Sequence, residues 1–162
     1  MIRIAFFICA LAGVTAYALL RGGGPERVVA LVLLAGILAT WLAASAPPVR
    51  FNDIEVGVLI VDGIVFVALL AVAMRAERYW PLWMTALQGV AIAGHGAKAV
   101  NPHVIPWAYA VMMAFWGYPI VALLGIATWR HQRREKNFGT ERSWTRSWLP
   151  WRDRNRGAGA IG

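Results

Sequence analysis

The stretch RYWPLWMTALQGVAIAGHGAKAVNPHVIPW, residues 78–107, decides the fold. Tyr79 and Trp80 stand at one end and Trp107 at the other, with an apolar segment from 81 to 100 between them. At about 1.5 Å per residue, roughly 20 helical residues cross about 30 Å of hydrocarbon. Amphipathic rings settle at headgroup depth, so aromatic residues at both ends of such a segment mark the two faces of a bilayer. The segment reads as one membrane-spanning helix. It also carries most of the polar groups within the apolar runs: Thr85, Gln88, His95 and Lys98.

Working outward, similar runs recur on both sides. Hydrophobic residues make up 59% of the 162. The runs are continuous rather than alternating, which argues for helices, and only helices or closed barrels satisfy their backbone groups in lipid. The predicted helices cover 4–20, 28–44, 54–74, 81–100 and 106–129. The expected fold is therefore all-α: a polytopic membrane protein, a compact bundle of five transmembrane helices over 1–130, followed by a basic, Trp-rich tail over 131–162.

The connections fit that reading. RGGGPER at 21–27 reads as a tight turn in which Pro25 and Glu26 suit a helix start; its glycines lack the GK[ST] of a phosphate loop. Pro102 ends the fourth helix. Pro119 falls inside the fifth, where it is expected to kink the helix and free the carbonyl near Phe115.

Charge sets the orientation. With the amino terminus outside, Arg21, Arg27, Arg75, Arg78 and the nine Lys and Arg after Trp129 lie inside, which is 13 of the 16. Arg3, Arg50 and Lys98 lie outside. That asymmetry follows the positive-inside rule. A cleaved leader ending near Ala16-Tyr17-Ala18 would place the basic tail outside, so the first helix is expected to be retained. In the tail, Trp144, Trp148 and Trp151 fall at i, i+4 and i+7, flanked by Arg142, Arg146 and Arg152. This pattern suits an anionic membrane surface. Docking to a protein is the second reading, and no nucleic-acid-binding fold is present to support a third.

Asp62 is the most informative residue. A charge at the centre of a membrane helix costs roughly 2.5–3.5 kcal/mol, so Asp62 is expected to be neutral or to face a partner. Glu55 is seven residues earlier on the same face. Thr85, Gln88, His95 and Lys98 form one stripe on the fourth helix, amid small residues that permit close helix approach. The third and fourth helices are antiparallel neighbours. The expected site is therefore an intramembrane cluster of Glu55, Asp62, Gln88, His95 and Lys98 in the outer half. It acts either as polar glue that sets helix register or as a proton or ligand site.

Other chemistry has less support. The lone Cys9 excludes an intrachain disulfide or a cysteine-based metal centre. His95 is the one histidine inside a predicted span, which excludes bis-histidine haem and leaves a single axial ligand or a weak pairing with His103. No serine has the companions of a nucleophile. No enzyme, cofactor or metal is expected. The expected function is a non-enzymatic accessory or structural subunit, or a homo-oligomer, whose partners are the bilayer and a protein. The alternative is a small transporter, channel or proton-responsive protein using the Asp/His/Lys cluster. A holin-like pore would need larger polar faces.

GGGPER at 22–27, the lone Asp62, RAERYWPLW at 75–83 with Gln88 and His95 following, WAYAVM at 107–112 and GIATWRHQRR at 125–134 together resemble uncharacterised short five-helix membrane proteins of bacteria. The resemblance covers the helices and not the terminal tail. It implies a bacterial inner-membrane location and supplies no activity.

Overall fold

The computed structural model describes residues 2–44, 56–100, 105–138 and Trp144. These residues form six helices: α1 (Ile2–Arg21), α2 (Gly24–Ala43), α3 (Val56–Arg75), α4 (Trp80–Val100), α5 (Pro106–Phe115) and α6 (Gly117–Phe138). No strand occurs among them; a lone antiparallel bridge joins Ala76 to Trp144. The fold is all-helical, as the continuous apolar runs require.

The α1–α2 and α3–α4 connections are short, so each pair is antiparallel. Around the bundle α1 packs on α2, α2 on α3, α3 on α4 and α4 on α6, and α6 closes the ring against α1. Ala18, Val29, Leu69, Met84, Ile120 and Leu124 meet at its centre. Small residues set the closest approaches. A Cβ on Gly36 would lie 2.8 Å from Val65 Cγ2, and one on Gly117 would lie 2.9 Å from the Phe7 ring. By contrast, Gly63 and Gly96 have open space around them, so Gly96 does not serve the close helix approach expected of the small residues in α4.

Three boundaries differ from expectation by more than two residues. First, α2 begins at Gly24 rather than 28 because Pro25 lies in its first turn. Proline has no N–H to lose there, and its φ suits a helix start, so part of the expected turn is helical. Second, the expected helix over 106–129 is two helices, with Trp116 as a turn between them. Pro119 cannot donate to the carbonyl of Phe115 and its ring crowds that carbonyl, which breaks the ladder one turn earlier. Third, beyond Trp129, α6 continues to Phe138 through a segment rich in Arg, Gln, Glu and Lys, all good helix formers. His131 and Glu135 add an i,i+4 contact at 3.8 Å.

Among the described residues, α2 and α3 are long and apolar enough to cross a membrane, and Ala5–Arg21 is a shorter apolar helix. The polar stripe lowers the hydropathy of α4, and the charged final turns lower that of α6. Many large side chains on α2 and α3 point outward, including Leu31, Leu38, Ile60, Ile64, Val67 and Met74.

One end of the bundle gathers the α1–α2 connection, the α3–α4 connection and the last turns of α6. Contacts from Tyr17 to Gln132, from Gly23 to His131 and from Trp144 to both Gly24 and Ala76 bring these parts together. Arg21, Arg27, Arg75, Arg78, Arg130, Arg133, Arg134 and Lys136 belong to this end. Asp62, His95 and Lys98 lie toward the other.

Candidate functional site

The site is built where α3, α4 and α5 meet. Gln88 and His95 are seven residues apart, two helical turns, so both face α3 from the same side of α4. Asp62 lies opposite and bonds to both. Gln88 Nε2 donates to Asp62 Oδ1 at 3.0 Å and reaches the Asp62 carbonyl at 3.4 Å. His95 Nε2 stands 3.2 Å from Asp62 Oδ2. On its other side His95 Nδ1 meets the Tyr109 hydroxyl of α5 at 2.5 Å, with the two rings edge to face.

An ionised carboxylate only accepts hydrogen bonds, so an ionised Asp62 places the hydrogen of a neutral His95 on Nε2. Nδ1 is then the acceptor for the Tyr109 O–H. This tautomer follows from the network. Both carboxylate oxygens and both ring nitrogens are thereby engaged.

Burial grades across the set. His95 is 2% exposed, whereas the Asp62 side chain is 20% exposed. Lys98 is buried at 3% and places Nζ 5.9 Å from the centroid of the Tyr109 ring, within cation–π reach. Lys98 has further contacts within the protein.

The structure therefore brings Asp62, Gln88, His95 and Lys98 to one place. Glu55 lies outside the described residues, as do Arg142, Arg146, Trp148, Trp151 and Arg152. Thr85 shares the stripe but stays out of the cluster: its hydroxyl donates to the Pro81 carbonyl of its own helix at 2.9 Å. Thr15 and Thr128 bond back in the same way to Leu11 and Leu124. Trp144 packs its indole nitrogen against Gly24 and pairs with Ala76, so this tail residue contacts the bundle.

Two features escaped the sequence reading. Tyr109, fully buried, is the third arm of the cluster. Its signal was depth: it is three residues into α5, and His95 is five from the end of the antiparallel α4. Glu26, read as a helix-start residue, is 0% exposed, and neither of its carboxylate oxygens has a hydrogen-bond partner among the described residues. A Cβ on Gly23 would lie 3.0 Å from both Glu26 Oε2 and His131 Cε1, so the acid and the imidazole flank the same glycine at the basic end.

Comparison with protein families, with curated proteins and with solved structures returns no match.

Proposed function

We propose that the chain is a multi-pass protein of the bacterial inner membrane with a structural, non-enzymatic role, acting as a homo-oligomer or as an accessory subunit of a larger assembly. In this reading α1, α2, α3 and α4 each cross once and α5 with α6 makes the fifth crossing, amino terminus outside and basic end inside. The outward-facing apolar residues of α2 and α3 support it, since such faces need lipid or protein cover. The gathering of eight Lys and Arg at one end supports the orientation.

The observation that carries the structural role is the continuous hydrogen bonding of the polar cluster. Gln88 Nε2, both Asp62 carboxylate oxygens, both His95 ring nitrogens and the Tyr109 hydroxyl bond to one another, tying α3, α4 and α5 together. Polar bonds of this kind add to close packing in holding membrane helices in register. Mild-detergent extraction followed by native mass spectrometry tests the proposal. The expected result is a homo-oligomer or a defined copurifying protein; a stable monomer without partner overturns it.

The partial exposure of Asp62 favours a second reading. Tyr109, His95 and Asp62 form a line of proton-exchanging groups that opens at the Asp62 end, as a small transporter, channel or proton-responsive protein would require. Asp62→Asn and His95→Ala separate the two readings. Loss of thermal stability without any change in proton flux in proteoliposomes supports the structural role. Folded variants that lose a pH-dependent flux support the second reading.

A further inference from the structure

At the basic end, a cavity of about 610 Å³ opens between the α3–α4 connection and α6. Arg78 enters it from the connection and Arg130 and Arg134 from α6, with Trp80 and Trp83 of α4 beside them. Leu123, Ile126 and Ala127 of α6 give it an apolar part to its lining. A smaller hollow of about 200 Å³, lined by Trp129 and Arg133, shares Arg130 and Arg134 with it.

We propose that this cavity binds the phosphodiester headgroup of an anionic phospholipid. All three of its cations are arginines, whose planar guanidinium groups match phosphate oxygens through paired hydrogen bonds. Glu77 on the rim offsets part of that charge and leaves a net positive site. Arg78 and Arg134 also make contacts within the protein, so the phosphate adds to bonds already holding those side chains.

The order of residues along α6 matches a lipid rather than a free anion. Leu123 lies seven residues before Arg130, about 10 Å deeper at ~1.5 Å per residue. A phosphate held by Arg130 and Arg134 thus has an acyl chain's surroundings directly beneath it. Trp83, largely exposed, stands at the depth where indoles favour the interface. Basic pockets between membrane helices on the cytoplasmic side take anionic headgroups for these reasons. The inference rests on the membrane reading above, and its test is separable from it, because a chain recovered in the soluble fraction defeats that reading before any lipid is added.

The test uses the full chain extracted from membranes into a non-ionic detergent and delipidated. Phosphatidylglycerol, phosphatidylcholine or sodium phosphate is then added. Retained lipid is read by native mass spectrometry and melting temperature by scanning fluorimetry. Phosphatidylglycerol is expected to be retained and to raise the melting temperature, with phosphatidylcholine and inorganic phosphate doing neither. Arg130→Gln with Arg134→Gln is expected to lower phosphatidylglycerol retention by roughly tenfold or more, the scale of a lost charge-assisted bond. Arg21→Gln, which removes a charge at the same end outside the cavity, is expected to leave retention unchanged. Equal retention of the two lipids, reproduction of the effect by inorganic phosphate, or an equal loss in the Arg21 variant each overturns the proposal. If the double variant fails to fold by circular dichroism, the comparison of the two lipids on the unmodified chain decides.

Discussion

His95 Nε2 lies 3.2 Å from Asp62 Oδ2, joining an imidazole on α4 to a carboxylate on α3 across 33 residues of sequence. The same ring holds the Tyr109 hydroxyl with its other nitrogen, so one histidine couples three helices. α5 begins at Pro106 and ends at the Trp116 turn, and among its described side chains Tyr109 is the fully buried one, tying it to α4.

Tyr109→Phe keeps the ring and removes the hydroxyl. The expected cost is about 0.6 kcal/mol and at most about 1.7 kcal/mol, the range of interhelical hydrogen bonds in membranes. A double-mutant cycle with His95→Gln, followed by denaturant unfolding in mixed micelles, is expected to show non-additive losses. Additive losses would mean the two side chains act independently.

Gln88 and Thr85 differ by less than a turn on the same stripe but not in what they hold. Gln88→Leu removes the donor to Asp62 Oδ1 and leaves that carboxylate short of a partner, with an expected loss of about 1–3 kcal/mol. Thr85→Val removes a bond made only within α4 and is expected to change stability by less than about 0.5 kcal/mol. Equal losses in thermal unfolding would contradict the separation of the two residues.

Gly36→Ala places a methyl group 2.8 Å from Val65 Cγ2, a stiff β-branched side chain between α2 and α3. Overpacking of that kind costs about 1–3 kcal/mol. Gly96→Ala meets nothing within 4 Å and is expected to be neutral. The two melting temperatures in one detergent compare the sites directly.

Trp144 and Ala76 form an antiparallel bridge, a pairing that places Cα atoms about 4.5–5.5 Å apart, within disulfide range. In a Cys9→Ala background, Ala76→Cys with Trp144→Cys is expected to crosslink under mild oxidation, visible as a gel shift reversed by reductant. Leu42→Cys with Trp144→Cys, at opposite ends of the bundle, is expected to stay uncrosslinked.

Local pattern carried the helices. Apolar run length, the aromatic ends and the proline positions are properties of neighbouring residues, so α1, α3 and α4 fall within two residues of their expected bounds. The meeting of Asp62 with His95 was also legible, because a two-turn spacing on one helix and a short antiparallel connection fix relative depth. Pro119 announced a kink within one helix, and the outcome, two separate helices, goes further than that.

What no local pattern contained was rotation and contact between distant helices. Tyr109 joins the cluster because α5 turns that face toward α4, and Thr85 leaves it because its hydroxyl finds a nearer acceptor one turn back. Glu26 has the sequence context of an exposed helix start and becomes fully buried because α6 runs on past Trp129 and lays His131 beside Gly23. The arginine-lined cavity likewise needs Arg78 and Arg134, 56 positions apart in the chain, on two elements brought side by side. Composition and periodicity determine which segments are helical and which residues share a face. The packing of one helix against another, set by shape and by the few polar bonds that lipid leaves in place, decides which of those faces meet.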